Sequence, residues 1–481
     1  MEQTEQYKHI KRRGIVSAFS LFFQSGYSAF LGLVANLVVT ILLSPAIFGM
    51  YITVLSIISV LNYFSDIGLA ASLIQKKETT REDFVTTFSI QQILVLTIVL
   101  VGYLGTHFVV AFYKLPLQGM YLYWALLFGF FLSSLKTLPS ILLERKIQFQ
   151  KIVFVQVIES TVFYAAVIGC AFLKFGLASF TVAVILRSVV GVVIIYIISP
   201  WKPTFGISRD SLRTLLRFGV PFQASSFLAL FKDDLIMLFL GKVVGFEGVG
   251  YIGWAKKWAE APIRIIMDNI TRVLFPVISR LQHDKERIKQ LVERILFLQT
   301  ALLAPVMFGM TISMEHIVHL IPKYGKWLPA LPLLYLFCFS AFLASFSSPL
   351  LNITNALGKV KISLFFMTIW TVVTWLLVPP LTHAFSYYGF PITVSIISLS
   401  SLLVIYKTQQ FVGFRFITAV YKPFVSTCLM AFIAILVNLT IHSHLIALGL
   451  SATLGAGIYF SSLYFLFKIN LFKELRSLFV Q

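Results

Sequence analysis

The chain has 481 residues, of which 58% are hydrophobic and only 12% are charged, although its net charge is +20. Soluble domains carry roughly 25% charged residues, so the composition excludes a water-soluble enzyme, a disordered protein and a nucleic-acid binder. At about 20 apolar residues for each membrane crossing, the hydrophobic fraction is sufficient for about fourteen spans.

The N-terminus does not resemble a cleavable signal peptide. Its first residues are polar and end in the basic group Lys11, Arg12 and Arg13, and an apolar run then covers residues 14–43. The apolar core of a signal peptide has roughly 7–15 residues. Because this run is longer, it predicts a first span that is retained.

Hydrophobic segments long enough to cross a membrane follow one another along the whole chain, and short polar loops separate them. Because backbone groups in lipid must hydrogen-bond within their own segment, such runs predict an all-α integral membrane protein rather than a barrel. The predicted spans are 14–43, 47–74, 84–112, 118–143, 152–173, 177–199, 215–240, 248–277, 292–315, 328–353, 361–381, 387–406, 418–438 and 444–467.

The basic residues of the loops predict the orientation. With the N-terminus inside, 27 of the 39 Lys and Arg residues lie in inner loops or adjoining span ends, five lie in outer loops and seven lie within spans. Cytoplasmic loops are enriched in Lys and Arg. The bias therefore predicts that both termini are cytoplasmic. It also indicates that most of the positive charge sets the orientation of the chain in the membrane and does not form a binding surface.

Two matched pairs of loops indicate an internal duplication. Residues 43–51 and 244–251 both form a Gly-containing turn that ends in Tyr, and residues 144–149 have a counterpart in residues 355–361. Their common order predicts two six-helix lobes related by a pseudo-twofold axis along the membrane normal. The predicted divisions are 1–200, 201–410 and, for two additional C-terminal helices, 411–481.

Charged residues inside the eighth span are the strongest candidate site. Five of them follow one another at intervals of four with alternating sign: Lys256, Glu260, Arg264, Asp268 and Arg272. Such neighbours share one helical face and can pair, whereas each charge facing lipid would cost roughly 2.5–3.5 kcal/mol. The stripe therefore lines a solvated transport cavity or belongs to a salt-bridged helix that partly emerges into the cytoplasm.

Other spans add candidate cavity or coupling residues. Span seven contains Lys232, Asp233 and Asp234, which point in different directions because consecutive helical residues diverge by about 100°. Asn36 and Asp66 in the first two spans suit a wet cavity wall, but residues of this kind also hold helices together.

Arg187 of span six is isolated among apolar residues. We expect it to form a structural pair with Glu159 of span five.

Cations outnumber acids within the predicted spans; they are Lys136, Arg187, Lys232, Lys256, Lys257, Arg264 and Arg272. A cavity lined by cations in a medium of low dielectric constant attracts an anion such as phosphate. A multidrug exporter of cations would need a dominant acid instead. The predicted diphosphate contacts are Lys232, Lys256, Lys257, Arg264 and Arg272.

Two blocks carry a family resemblance. The segment DIGLAASLIQKK at 66–77, and LGKVVG at 240–245 with LFPVISR at 274–280, resemble the matching segments of Wzx-type polysaccharide flippases. These flippases belong to the multidrug/oligosaccharidyl-lipid/polysaccharide exporter superfamily. The resemblance implies two six-helix lobes around a cavity, alternating access in the bacterial inner membrane, and a polyprenyl-diphosphate-linked oligosaccharide as cargo for O-antigen, capsule or exopolysaccharide assembly. It also implies association with a polysaccharide polymerase and glycosyltransferases.

The sequence leaves alternative functions open. A peptidoglycan-precursor flippase and a multidrug exporter belong to the same superfamily, and a polysaccharide polymerase or ligase is a further class. A polymerase or ligase would need a sizeable outer loop that carries catalytic residues, and the outer loops here are short. The candidate catalytic residues near the outer surface are limited to His316, His319, Lys323, His442 and His444. Span one lacks the Asp that cation-coupled exporters often have, so the coupling ion is left open. The spacing of the three cysteines predicts neither a disulfide framework nor a metal site.

Overall fold

The structure is a computed structural model that describes residue 24, residues 26–281 and residues 284–470. Within these ranges the side chains of residues 222, 224–229, 268–277 and 279–281 are not described. The predicted all-helical membrane fold is confirmed, because helices cover nearly all of the described chain.

The helices of the first half include several that end within a predicted span. They are α1 (Gly26–Leu42), α2 (Pro45–Asn62), α3 (Leu69–Gln75), α4 (Arg81–Leu104), α5 (Thr106–Tyr113), α6 (Leu117–Leu135), α7 (Thr137–Arg145), α8 (Phe149–Phe172), α9 (Ala178–Ile198), α10 (Arg209–Ala229) and α11 (Leu235–Val243). A π-helical turn, Leu230–Asp234, joins α10 to α11.

The helices of the second half are longer on average. They are α12 (Gly245–Leu281), α13 (Lys285–Leu320), α14 (Leu331–Ala356), α15 (Val360–Phe385), α16 (Gly389–Ser398), α17 (Ser401–Val412), α18 (Phe416–Thr440) and α19 (His444–Ser461). Short 3-10 turns, Gly325–Ala330 and Ser386–Tyr388, precede α14 and α16.

Within the described residues, ten helical segments are long and apolar enough to cross a membrane. They are Pro45–Asn62, Arg81–Leu104, Leu117–Arg145, Phe149–Phe172, Ala178–Ile198, Lys285–Leu320, Gly325–Ala356, Val360–Val412, Phe416–Thr440 and His444–Leu466. The 53-residue segment Val360–Val412 contains two of the predicted spans, and Gly26–Leu42 is a shorter apolar helix. The total of fourteen spans stays a prediction.

Several predicted spans are not continuous α-helices; the span at 215–240 contains the π-helical turn, and the span at 387–406 is divided between α16 and α17. The span predicted at 47–74 stops as a helix at Asn62 and resumes as α3, and the spans predicted at 84–112 and 118–143 are interrupted at Gly105 and Lys136. Hydropathy reports how apolar a segment is and carries no information on backbone continuity. These local breaks were therefore invisible in the apolar pattern.

The described residues up to Gly250 form one compact unit. One apolar core of this unit lies among α3, α4, α7 and α10, where Leu69, Phe88, Leu138 and Leu215 are almost completely buried. α11 packs against α2. The start of α12 also packs closely here, since a Cβ atom on Gly250 would lie 2.0 Å from the carbonyl oxygen of Pro45.

The described residues from Tyr251 onward form a second compact unit. Its core includes residues of α13, α14, α15, α17 and α18. Buried Trp254 of α12 stacks on Trp327 with ring centroids 5.5 Å apart, and its indole nitrogen donates to the Tyr324 hydroxyl at 2.8 Å. α18 and α19 pack against α13. The lobe boundaries at residues 200 and 410 stay predictions.

Candidate functional site

The first three residues of the charged face of α12 form two ion pairs. Glu260 Oε1 lies 3.8 Å from Lys256 Nζ, and Glu260 Oε2 lies 2.9 Å from Arg264 Nη2. The i, i+4 spacing places one cation a turn before the carboxylate and the other a turn after it. We call Lys256, Glu260 and Arg264 the α12 ladder; its local geometry follows directly from the alternation in the sequence.

The α12 ladder includes an exposed cation, Arg264. Two cations share one carboxylate, so the group has a net charge of +1, and the Arg264 side chain is 69% exposed. Lys256 also lies 6.0 Å from the centroid of the Phe390 ring. Lys257, the next residue, is exposed. A guanidinium with this exposure can donate two parallel hydrogen bonds to a phosphate or carboxylate.

The remaining members of the predicted stripe, Asp268 and Arg272, have side chains outside the part of the chain that the structure describes. Their backbone belongs to α12. The structure therefore brings together three of the five predicted residues, and the roles of the other two stay predictions.

The π-helical turn Leu230–Asp234 contains three of the candidates of span seven. Lys232 and Asp234 are half-buried, whereas Asp233 is exposed. Asp234 lies close enough to the Tyr63 side chain to form a hydrogen bond. A π turn inserts one residue into the helix and often marks a functional position, and hydropathy gave no sign of it.

The two candidates of the first spans have clear local surroundings. Both carboxylate oxygens of Asp66 accept from the backbone N–H of Ala70, at 3.0 and 3.2 Å, so this side chain caps the start of α3. Asn36 is 3% exposed within α1. Asp is among the residues preferred at helix starts, so an Asp two residues before Gly68 and an apolar run is a signal that the sequence contains.

Glu159 of α8 joins two cations from other parts of the chain. Its Oε1 lies 2.6 Å from Lys136 Nζ, and its Oε2 lies 3.9 Å from Arg187 Nε. The structure thus contains the expected Arg187–Glu159 pair and adds Lys136, which lies between α6 and α7. We call these three residues the Glu159 cluster.

The histidines near the predicted outer surface also meet. His316 and His444 have their Nδ1 atoms 2.9 Å apart, and the His319 ring stacks on His444 with centroids 4.6 Å apart. Over the described ranges, no group of three or more His, Cys, Asp or Glu side chains has an arrangement that could hold a metal ion.

The fold defines the class of protein before any family is considered. It is a multi-span helical membrane protein. A family model described as "Polysaccharide biosynthesis protein" matches residues 38–332, which is more than half of the chain. The chain belongs to this family.

Solved structures share the fold at low sequence identity. The lipid II flippase MurJ in an inward closed conformation superposes with a TM-score of 0.74 and 15% identity, covering 94% of this chain and 99% of that chain. An inward-facing multidrug resistance transporter of the MATE family gives a TM-score of 0.61 and 16% identity, over 83% and 98% of the two chains.

Bacterial relatives match over different lengths. The succinoglycan biosynthesis transport protein ExoT of Rhizobium meliloti is 26% identical over 41% of this chain, and the match spans 40% of that relative's length. The lipopolysaccharide biosynthesis protein WzxC of Escherichia coli is 24% identical over 69% of this chain and 68% of the relative. The teichuronic acid biosynthesis protein TuaB of Bacillus subtilis is 21% identical over 78% of each.

Proposed function

We propose that this protein is a flippase that moves a polyprenyl-diphosphate-linked oligosaccharide across the bacterial inner membrane by alternating access. The cargo then enters assembly of a surface polysaccharide such as O-antigen, capsule or exopolysaccharide. The family match supports this proposal, as do relatives named for succinoglycan transport, lipopolysaccharide biosynthesis and teichuronic acid biosynthesis.

The observation that carries the choice of cargo is the exposed cation of the α12 ladder. A diphosphate head is anionic, and the exposed guanidinium of Arg264 beside Lys256 and Lys257 provides donors of matching charge. Charge-assisted hydrogen bonds to phosphate are about twice as strong as neutral ones. Lys232 and Arg272 complete the proposed set of diphosphate contacts, while Asn36, Asp66, Asp233, Asp234, Glu260 and Asp268 are proposed cavity or coupling residues.

The proposed topology has both termini in the cytoplasm. The bias of 27 inner to five outer basic residues supports this orientation. It places the end of α13 and the start of α19 at the outer surface. A polysaccharide polymerase and glycosyltransferases are the proposed functional partners, since they would consume and supply the lipid-linked cargo.

Charge reversal at Arg264 tests the proposal. We expect Arg264→Glu to reduce surface polymer by about tenfold or more, the factor that a loss of about 1.4 kcal/mol in binding produces. Membrane abundance should stay normal, because Arg264 is exposed and surface ion pairs contribute little to stability. Polymer is measured by quantitative immunoblot or sugar analysis of the cell surface.

Lys407→Glu is the matched control, because Lys407 is an exposed cation of α17 outside the proposed set. Normal polymer in both variants would contradict a role for the α12 ladder. Deletion of the gene separates the alternatives: loss of polymer with survival supports this cargo, whereas loss of viability indicates a peptidoglycan precursor. Reduced dye efflux with intact polymer would indicate a multidrug exporter.

A further inference from the structure

A polar cavity of about 350 Å³ lies inside the first compact unit, among α2, α6, α8 and α9. Lys136 and Arg187 line it together with the hydroxyl groups of Ser59, Ser133 and Ser188. None of these residues belongs to the α12 ladder or to the π-helical turn. The volume lies near the lower end of the range for small-molecule sites, about 300–1,000 Å³.

Arg187 of this cavity and its ion-pair partner Glu159 lie near the middle of their spans. Arg187 is the tenth of the 21 residues of α9, and Glu159 is the eleventh of the 24 residues of α8. At about 1.5 Å of rise per residue, each is more than a dozen ångströms from either end of its helix. Ionisable residues at this depth are costly and usually mark a function.

The Glu159 cluster is asymmetric. The Glu159 side chain is 6% exposed and contacts Lys136 at 2.6 Å, which is a charge-assisted hydrogen bond. Arg187 approaches Glu159 only to 3.9 Å and has a side chain that is 49% exposed. The single carboxylate is therefore engaged by Lys136, and the guanidinium of Arg187 contributes a positive charge to the cavity that Glu159 neutralises only in part.

The backbone is arranged to admit this carboxylate. A Cβ atom on Gly191 of α9 would overlap the Glu159 carboxylate, so the glycine leaves the space that this carboxylate occupies beside α9. The centroid of the Phe163 ring of α8 lies 5.8 Å from the guanidinium carbon of Arg187, and this ring limits the positions that the guanidinium can take. The cluster is thus a packed feature of the fold and not a chance approach of surface charges.

We propose that this cavity binds one anionic group of the cargo, a sugar carboxylate or a phosphate, with Arg187 as the first contact and Lys136 as the second. Glu159 is the internal counter-ion that this group displaces from Lys136. The assignment of the anion to a transported glycan rests on the proposed function, whereas anion binding itself does not. The cavity admits a single acidic sugar or phosphate group and not a whole oligosaccharide.

Binding is tested with the full-length protein in nanodiscs of phosphatidylcholine, which has no net charge. Thermal unfolding is followed at constant ionic strength during titration with sodium glucuronate or inorganic phosphate, and glucose is the neutral control. We expect at least one anion to raise the unfolding temperature of the wild type. Arg187→Gln should weaken this apparent affinity by about tenfold, equivalent to about 1.4 kcal/mol. Lys407→Gln removes one exposed cation elsewhere and should leave the affinity unchanged.

A second variant tests the counter-ion role. Glu159→Gln removes the group that competes with the ligand, so the apparent affinity for the anion should increase by about tenfold, again about 1.4 kcal/mol. Without anion, the same variant should unfold at a lower temperature than the wild type. Addition of the anion should raise its unfolding temperature again and recover part of this difference. A purely structural ion pair predicts destabilisation without this anion-dependent recovery.

Each outcome decides one point. A response to glucuronate alone assigns the cavity to an acidic sugar, and a response to phosphate alone assigns it to a phosphate. Responses to neither anion, or equal responses in the wild type and Arg187→Gln, overturn the inference while leaving the proposed function intact. Anion binding that depends on Arg187, combined with normal polymer in cells lacking the gene, would overturn the proposed function and leave the anion site.

Discussion

The α12 ladder and the Glu159 cluster contain the same three residue types, one Lys, one Glu and one Arg, in different surroundings. The α12 ladder lies on one helix, and its Glu260 and Arg264 side chains are 32% and 69% exposed. The Glu159 cluster draws its members from separate parts of the first unit, and its carboxylate side chain is 6% exposed.

The difference in exposure changes how much each group of ion pairs contributes to stability. Water screens an exposed pair, so its contribution to stability is about 0–1 kcal/mol. A buried carboxylate whose partner is also partly buried lacks that screening, and removing either group leaves an uncompensated charge. We therefore expect the α12 ladder to affect transport more than stability, and the Glu159 cluster to affect both.

The largest effect is expected for Glu159→Gln, which leaves Lys136 without its carboxylate. The expected loss is about 3–5 kcal/mol in the free energy of unfolding. The measurement is the denaturant or thermal unfolding of the purified protein in the absence of added anions. The double variant Lys136→Gln with Glu159→Gln should recover part of the loss, and a double variant that is less stable than Glu159→Gln would contradict the charge explanation.

Asp83 at the start of α4 provides an intermediate case. Its completely buried side chain accepts from Lys76 Nζ at 2.7 Å and from the backbone N–H of Thr80 at 2.9 Å. Because hydrogen bonds to charged groups contribute about 1.5–3 kcal/mol, Asp83→Asn should lower the free energy of unfolding by that amount. Glu82→Gln changes an exposed neighbour and should have almost no effect; equal losses would show that burial is not the deciding factor.

Gly191→Ala tests the packing of the Glu159 cluster without removing any charge. The added methyl group would overlap the Glu159 carboxylate, and overpacking of this kind costs about 1–3 kcal/mol. Gly169→Ala on α8 is the control, because its Cβ atom would meet nothing within 4 Å. That control should be neutral or stabilising in the same unfolding experiment, since Ala is the better helix former.

The smallest effect is expected for Glu260→Gln in the α12 ladder. The exposed pair with Arg264 should contribute less than about 1 kcal/mol to the free energy of unfolding. Unfolding of this variant is compared directly with that of Glu159→Gln, because the chemical change is the same. A loss as large as that of Glu159→Gln would mean that the α12 ladder is as desolvated as the Glu159 cluster.

The chain's composition was sufficient to predict an all-helical membrane protein, and the structure confirms that class. Within helices, spacing was equally informative: residues four apart on α12 pair as the alternation of sign predicts. These features are local. They depend on helical periodicity and on the cost of exposing polar backbone to lipid, both of which can be read from a single segment.

Contacts between helices were predicted only in part. The Arg187–Glu159 pair was expected because each charge was isolated in an apolar span, but nothing in the sequence connected Lys136 with Glu159, 23 residues away. The close approach of the Glu159 carboxylate to Gly191 was also hidden. Both depend on the rotation of each helix about its own axis, which hydropathy does not report.

The amino-acid sequence by itself determined that the chain is built from apolar helices, and where the charges of α12 alternate. The tertiary structure decided where the apolar runs break, as at Gly105 and Lys136, and which distant charges meet beside one cavity. The physical reason is the distance along the chain over which each effect acts. Periodicity and hydrophobicity can be read within one segment, whereas the closeness of Lys136, Glu159 and Arg187 depends on how separate segments pack together.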